Sequence, residues 1–213
     1  MFDRSVDARI RIAAFDWLTE LVERHGDVLP RAVLLHGFML DGSRISLVSP
    51  QQGIFKPAAL SIAPISILTS PSDPYKDELG SDGFLKYRYR GTDPDHRDNV
   101  GLRFAMQQRL PLIYFHGITK GKYVAAWPVF IVGDDRARMT FSVSVDDARH
   151  LGIGHNAQPA ELFTGDEQEL ARRRYATAVT RVRLHQRAFR ERVLDAYHRQ
   201  CAFCRLRHDE LLD

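Results

Sequence analysis

The feature that most constrains the fold is a series of short apolar runs between residues 60 and 145, divided by Pro, Gly, Asp and Asn. Short runs rich in β-branched and aromatic residues and bounded by turn formers are typical of strands. The pattern predicts a mixed, twisted sheet or a partly closed barrel. The predicted strands are residues 60–68, 84–90, 111–116, 123–132 and 139–145, with a hairpin turn at Gly133, Asp134 and Asp135.

An amphipathic helix is predicted before this β-rich region, with Asp3 or Ser5 as its cap and Gly26 at its end. A short second helix at residues 30–35, an alternating segment at 44–48 and a turn at 50–53 follow. This order suggests a winged-helix-like start, although an edge layer of a larger mixed domain explains it equally. The apolar positions of the first helix are Val6, Ile10, Ala13, Trp17 and Leu21.

The expected fold class is therefore α+β, with one short helix inside the β-rich region and one long helix after it. The short helix covers residues 99–110, with Asp98 or Asn99 as its cap. Residues 151–165 lack periodicity and predict a linker between a first domain (1–150) and a carboxyl-terminal segment (166–213) that contains the long helix. The expected apolar stripe of the long helix is Val179, Val182, Phe189, Val193 and Ala196.

Positive charge is concentrated near the end of the chain. The net charge is +3, yet residues 170–208 carry eleven arginines against Glu191 and Asp195. Such a segment suits an anionic polymer such as nucleic acid, although a solvated helix face explains many runs of this kind. No apolar run approaches the roughly 20 residues of a membrane span, and no signal peptide is recognisable, so a cytoplasmic protein is expected.

The strand at residues 85–90 places Lys86, Arg88 and Arg90 on one face, and Leu85 and the tyrosines on the other. A row of like charges is costly unless an anion is near, and DNA phosphates are a natural match. The alternative is an exposed strand whose cations pair with neighbouring aspartates.

The loop at residues 91–99 that follows this strand is dense in hydrogen-bonding groups, and such loops often carry function. Arg97 is a candidate for reading guanine or holding a phosphate, and His96 for bonding a base edge. Asp98 and Asn99 are expected to have a structural role.

Two aromatic side chains stand beside prolines. Trp127 and Pro128 interrupt a strand, and proline within a sheet belongs at an edge or a bulge. Tyr75 lies in a proline-containing loop with Lys76. Both aromatic residues are candidates for a shallow apolar contact surface, with ordinary packing as the alternative.

Cys201 and Cys204 form a CxxC, which is half of a tetrahedral zinc site, although a redox pair or two reduced thiols are alternatives. Signatures of phosphate-binding loops, nucleophile elbows and zinc peptidases are absent from the sequence.

Residues 181–204 (RVRLHQRAFRERVLDAYHRQCAFC) and 210–213 (ELLD) closely resemble the entry into bacterial HNH endonuclease domains. In that family the helix leads into a zinc-binding CxxC, and the ELLD segment leads into a strand with the catalytic histidine, a few residues beyond Asp213. The resemblance implies zinc at Cys201 and Cys204, and a divalent metal for cleavage in the parent enzyme. It assigns no catalytic residue within this chain.

Residues 49–57 (SPQQGIFKP), 87–94 (YRYRGTDP) and 111–117 (PLIYFHG) resemble the sulfur-binding domain of type IV, modification-dependent restriction enzymes, which recognises phosphorothioate DNA. Sulfur is larger and more weakly hydrated than oxygen, so an apolar surface favours it. The resemblance implies a sulfur pocket and a cationic rim that holds double-stranded DNA. We expect the pocket at Trp127, Pro128, Tyr75 and Tyr89, and DNA contacts at Arg88, Arg90, Lys76, Arg97, His96, Lys86 and Lys56.

Two other functions fit the same residues: a reader of methylated cytosine that serves the same nuclease, and a non-catalytic winged-helix regulator with a zinc knuckle. The oligomeric state is open, with a homodimer as one alternative.

Overall fold

A computed structural model describes residues 2–70, 82–145, 165–201 and 203–207, with the side chains of 165–172 and Arg181 excepted. The predicted linker lies almost wholly outside the described residues. The four helices are α1 (Arg4–His25), α2 (Arg31–His36), α3 (Arg97–Gln108) and α4 (Gly165–Ala196). The strands are β1 (Val28–Pro30), β2 (Phe38–Leu40), β3 (Ser43–Ile45), β4 (Ile54–Phe55), β5 (Ser66–Thr69), β6 (Leu85–Arg88), β7 (Leu112–Thr119), β8 (Lys122–Asp135) and β9 (Thr140–Val145).

The described strands form a seven-stranded mixed sheet and a separate hairpin of β2 and β3. The order in the large sheet is β4-β5-β7-β8-β9-β6, and β1 pairs with the first part of β8. The β5–β7 pair is parallel and the other pairs are antiparallel. The predicted α+β class is thus confirmed.

The large sheet curls into a half-barrel. Tyr87 on the edge strand β6 donates its hydroxyl to the carbonyl of Leu68 on β5, at 3.3 Å, although four strand pairings separate β6 from β5. Gly53 permits this approach, because a Cβ there would lie 3.1 Å from the Tyr87 hydroxyl and 3.2 Å from the Leu68 carbonyl oxygen. The expectation of a twisted mixed sheet or partly closed barrel is confirmed.

Alternation along the central strands separates two cores. On β7, Leu112 and Tyr114 face the inner core, which fills the concave side with parts of α3 and α4. Ile113 and Phe115 face the outer core, which α1 and α2 cover. Because both faces of the central strands are buried, these strands appear in the sequence as continuous apolar runs.

Strand β8 changes faces at Pro128. The pairing with β7 advances two residues from Leu112 to Tyr114, while β8 advances three, from Val129 to Ala126. This β-bulge explains why Ala126 and Val129 both face the inner core despite their odd separation. The proline therefore occupies a position of the type that the sequence predicted.

Helix α1 is capped as the sequence predicted, since the Asp3 carboxylate accepts the amides of Ser5 at 2.9 Å and Val6 at 3.2 Å. Gly26 ends the helix with φ of +74°. The buried face differs from the prediction, however, because Val6 is exposed while a charged pair occupies the interior. The fully or nearly buried positions are Asp7, Ile10, Arg11, Ala14, Leu18 and Leu21.

The predicted apolar stripe of α4 is wrong. Val182 and Phe189 face away from the sheet, whereas small or medium side chains on the opposite side of the helix enter the concave core. The space between the helix and the curled sheet is filled by alanine, threonine and leucine side chains, and the aromatic ring of Phe189 lies outside it. The buried set is Ala176, Thr177, Thr180, Leu184, Ala188, Glu191 and Leu194.

Three local predictions are also corrected. The run at 60–68 forms a strand only from Ser66, because the preceding segment makes turns around Pro64. The β8–β9 hairpin turns at residues 136–139, since β8 continues through Asp135 and Gly133 forms a second bulge. Helix α3 begins at Arg97, and its N-cap is His96 rather than Asp98 or Asn99.

Within the part of the chain that the structure describes, no helix has the length and apolar character needed to span a membrane.

Candidate nucleic-acid interface

Strand β6 alternates as the sequence predicted. Leu85, Tyr87 and Tyr89 are buried on the concave side, while Lys86 and Arg88 point outward. Lys86 donates to the Asp82 carboxylate at 2.5 Å and to the Ser142 hydroxyl at 2.7 Å. Burial raises the pKa of Asp82, but the Lys86 hydrogen bond and the Phe84 amide outweigh it and lower the pKa below the usual range.

The loop after β6 is held from inside by Asn99. Its side-chain oxygen accepts the amide of Arg90 at 2.8 Å, and its nitrogen donates to the carbonyls of Arg90 at 3.2 Å and Asp93 at 2.8 Å. Asn99 is completely buried. The expectation of a structural role for Asn99 agrees with this arrangement, although the role is loop anchoring and not helix capping.

The cations of this loop share one carboxylate. Asp98 lies 3.2 Å from an Arg90 nitrogen and 3.4 Å from Arg97 Nε, while the Arg97 side chain is 76% exposed. His96 Nδ1 accepts the amide of Asp98 at 3.2 Å, so this ring nitrogen is occupied by capping. The basic row is therefore less positive than its sequence indicates, because Asp82 and Asp98 offset part of it.

A second ion network fixes the end of β8 to α3. Arg103 Nε donates to Asp134 at 2.7 Å, and the Tyr89 hydroxyl also donates to Asp134. Burial and the hydrogen bond to Asp134 raise the pKa of Tyr89. Tyr89 also stacks on Phe141 with ring centroids 4.6 Å apart, which makes it a core residue.

Helix α4 and the turn after it carry the strongest positive surface. From residue 173 onward the helix has two carboxylates, and both face Lys122 on the β7–β8 hairpin, which bonds Glu191 and lies 3.1 Å from Asp195. Burial lowers the pKa of Lys122, but its bonds to these carboxylates outweigh that effect and raise it. The described arginines of this surface are Arg173, Arg174, Arg183, Arg187, Arg190, Arg192, Arg199, Arg205 and Arg207.

The α4 arginines and the β6 row adjoin each other. The Arg174 guanidinium lies over the Phe84 ring, 6.0 Å from its centroid, directly before β6 begins. The Arg174 side chain also passes 3.2 Å from the position that a Cβ on Gly83 would occupy. A cationic surface therefore extends from α4 across Phe84 to Lys86 and Arg88.

Two of the aromatic residues expected in the sulfur pocket, Trp127 and Tyr89, lie on different sides of the sheet. Trp127 is 3% exposed in the outer core, and Tyr89 is 6% exposed in the inner core. Pro128 is half-buried at the bulge. The structure therefore does not bring Trp127 and Tyr89 into one surface pocket.

Pro128 instead begins an apolar row on the convex face. Since Val129 and Ile131 point into the inner core, Pro128, Phe130 and Val132 point the other way. The hydroxyl-bearing strand β9 separates β8 from β6, so these two strands lie about 10 Å apart, and Val132 is the member of the row nearest to Lys86 along the strand.

Three further expected residues lie away from this surface or beyond the described residues. Lys56, just after β4, donates to the carbonyl of Leu60 at 2.7 Å. Tyr75 and Lys76 lie outside the described residues.

The carboxyl-terminal turn brings Cys201 and Cys204 together. Its closure uses a bond from the Cys201 amide to the Leu206 carbonyl at 2.9 Å and one from the Arg205 amide to the Cys201 carbonyl at 3.0 Å. The amides of Cys204 and Phe203 bond the Cys201 thiol and lower its pKa.

A lowered thiol pKa favours the thiolate that zinc requires, so the turn fits half of a tetrahedral site. Within the described residues, no three His, Cys, Asp or Glu side chains form a metal-binding group.

A polar cluster in the concave wall was missed by sequence reasoning. Tyr114 and His116 lie on the same face of β7, and the Tyr114 hydroxyl lies 3.1 Å from His116 Nδ1 and 3.0 Å from the Thr69 hydroxyl. The His185 ring of α4 lies 6.1 Å from that of His116. The period-two spacing of Tyr114 and His116 indicates that both side chains lie on one face of a strand. Their neighbours Thr69 and His185 come from β5 and α4, which the spacing does not reveal.

Comparisons with protein-family models, curated proteins and solved structures found no match to this chain.

Proposed function

We propose that this protein recognises double-stranded DNA with a phosphorothioate backbone, as the specificity part of an HNH-type, type IV restriction endonuclease. The observation that carries the DNA-binding proposal is the arginine surface of α4, joined to β6 through Arg174 over Phe84.

The positive charge that α4 presents outward depends on where its carboxylates lie. Glu191 is 5% exposed and bonded to Lys122 and Arg199, so it contributes little to the outward field. From residue 173 onward, Asp195 is the other carboxylate of α4, and it too faces Lys122. From residue 173 onward, the charged side chains on the outward faces of α4 are therefore cationic. Guanidinium groups bind phosphate oxygens in a bidentate geometry, and each phosphate contact releases counterions.

The sulfur preference is assigned to the convex row of Pro128, Phe130 and Val132. A sulfur atom is more weakly hydrated than oxygen, so contact with apolar side chains costs it less. Lys86 and Arg88, two strands away, would hold neighbouring phosphates while the sulfur contacts this row. Lys86 and Arg88 would therefore supply affinity for the DNA backbone, and the convex row would supply recognition of the modification.

The finer features of the parent enzyme belong to the same proposal. Helix α1, strand β1, helix α2 and the hairpin β2–β3 follow one another, and the order of the two helices and the hairpin supports a winged-helix-like start. Cys201 and Cys204 would supply two ligands of a structural zinc, with the second pair and the cleavage metal held elsewhere. Such an enzyme would act in the cytoplasm.

A reader of methylated cytosine is the second candidate, and the polar cluster of Thr69, Tyr114 and His116 favours it. Hydroxyl and imidazole groups in a concave wall are suited to the edge of a base rotated out of the duplex. In this alternative the modification is recognised at the half-buried Thr69 and His116, and the convex row has no part.

Fluorescence anisotropy with matched duplexes (unmodified, phosphorothioate and cytosine-methylated) tests the proposal at two salt concentrations. The proposal predicts tighter binding to the phosphorothioate duplex, a gain that persists at the higher salt concentration. Equal affinity for the three duplexes would contradict sulfur recognition, and preference for the methylated duplex would select the second candidate.

Two variants locate the sulfur contact. Val132, at 37% exposure, changed to Asn should remove the phosphorothioate preference and keep affinity for plain DNA. Met39→Asn is the matched control, because Met39 is an exposed apolar strand residue on the separate β2–β3 hairpin. Loss of both affinities in Val132→Asn would contradict the assignment.

A further inference from the structure

The outward side of α4 carries an apolar stripe that touches neither core. Tyr175, Val182, Phe189 and Val193 are 61%, 55%, 65% and 38% exposed. Their spacings of seven, seven and four residues place them on one line along the helix. At 1.5 Å per residue, this stripe extends about 27 Å.

Arginines border the stripe on both sides. At about 100° per residue, Arg183 and Arg190 fall along one edge, and Arg174 and Arg192 along the other. Glu191 and Asp195 lie on the opposite side of the helix, where Lys122 bonds them. The outward face thus combines an apolar centre with cationic edges and, from residue 173 to 196, no carboxylate.

We infer that this face is a docking surface for an amphipathic helix with an apolar seam and acidic edges. Seams with seven-residue spacing pack against a second helix, and the charges at the edges select the partner. A carboxylate opposite each edge arginine is complementary, whereas a second copy of α4 would place arginine against arginine. Charge therefore favours a different, acidic helix over self-association.

The size of the stripe agrees with a single helical segment as occupant. A standard protein–protein interface buries about 800 Å² on each partner. One line of four side chains over about 27 Å offers less than that, which suits a helix laid along α4. This inference goes beyond the proposed function and does not depend on it. DNA and the acidic helix would nevertheless compete for Arg190 and Arg192.

Two synthetic amphipathic peptides with the same leucine seam, one with glutamates and one with lysines at the edges, test the inference. Binding of the labelled peptides to the full chain is measured by anisotropy at physiological ionic strength. We expect the glutamate peptide to bind at least tenfold more tightly than the lysine peptide. Equal affinity of the two peptides, or no binding of either, would overturn the inference.

Variants show whether the stripe is the site. The double variant Val182→Gln and Phe189→Gln keeps the charge and should weaken the glutamate peptide at least tenfold. Ile12→Gln on α1 is the matched control, since Ile12 is 60% exposed, and it should bind as the wild type does. Circular dichroism checks that each variant is folded.

Two results with these variants would overturn the inference. One is unchanged peptide affinity in the double variant. The other is self-association of the wild type, seen by sedimentation velocity and abolished in the double variant, because it would identify a second copy as the occupant.

Discussion

The buried ion pair inside α1 yields a quantitative prediction about stability. Arg11 and Asp7 are 1% and 3% exposed, and Arg11 Nε lies 2.6 Å from Asp7. Arg11 also donates to the carbonyls of Pro64 at 3.0 Å and Pro111 at 2.8 Å, and thereby fixes α1 to the β4–β5 connection and to the start of β7. Asp7→Ala leaves a buried guanidinium without its counter-ion.

Breaking a buried pair from one side costs about 3–5 kcal/mol. The two remaining carbonyl bonds retain part of the stabilisation, so we expect Asp7→Ala to lower the free energy of unfolding by about 3 kcal/mol. For a chain of this size that change lowers Tm by about 6–12 °C. Urea titration followed by circular dichroism measures the loss.

The double variant Asp7→Leu and Arg11→Met separates charge burial from packing. It removes both charges and keeps apolar volume, so it should recover at least half of the loss, with the two orphaned carbonyls accounting for the remainder. Glu20→Ala is the control, because Glu20 and Arg24 form an exposed pair with the same spacing on the same helix, and it should cost less than about 1 kcal/mol. A small effect of Asp7→Ala, or a double variant less stable than the single one, would refute the reasoning.

Three other predictions concern the loop, the turn and the hairpin. Asn99→Ala removes three buried hydrogen bonds and should cost about 2–4 kcal/mol in urea unfolding; a cost below about 1 kcal/mol would show that the loop does not depend on it. In a Cys204→Ser variant, which keeps the backbone amides, Cys201 should be alkylated by iodoacetamide at lower pH than a free thiol, because its pKa is lowered; an ordinary pH profile would contradict the turn geometry. Lys122 has a raised folded-state pKa, so its stabilisation is complete below the unfolded value of 10.5 and is lost as pH rises through the folded value. The stability difference between wild type and Lys122→Met should therefore shrink as the pH rises through the folded-state pKa of Lys122. A difference that stays constant with pH would refute the pairing with Glu191.

The parts of the fold that follow from local patterns could be predicted from the sequence. The alternation of β6, the cap at Asp3 and the end at Gly26 depend on residues within a few positions of one another. The bulge at Pro128 follows from proline chemistry. The sequence predicted a twisted sheet or a partly closed barrel, but not which strands approach each other. The contact of Tyr87 with Leu68 joins distant parts of the chain.

The buried faces of the helices were predicted less well, because packing against distant parts of the chain determines which face is buried. In α4 the concave sheet admits Ala188 and Thr180, so the larger Phe189 is left outside. In α1 a charged pair is buried because distant carbonyls from Pro64 and Pro111 accept its hydrogen bonds. Hydropathy alone does not reveal such partners.

The candidate site shows the same division. The sequence indicated Lys86 and Arg88 and the arginines of α4, with pairing to neighbouring aspartates as the alternative, but it did not indicate the pairing of Asp82 with Lys86. It also placed Trp127 and Tyr89 together in a pocket, although the two residues belong to opposite faces of the sheet. The separation of Trp127 and Tyr89 arises from strand pairing, which composition does not determine.

The most direct test of the central claim is the salt dependence of DNA affinity for variants of exposed arginines. The double variant Arg190→Gln and Arg192→Gln is compared with Arg4→Gln and Arg24→Gln on α1, which has the same change in charge. The slope of log affinity against log salt falls by about 0.9 for each phosphate that the protein no longer binds, so the slope of the α4 variant should fall by about two and that of the α1 variant by almost nothing. Equal slopes for the two variants would contradict the claim that α4 binds the DNA backbone.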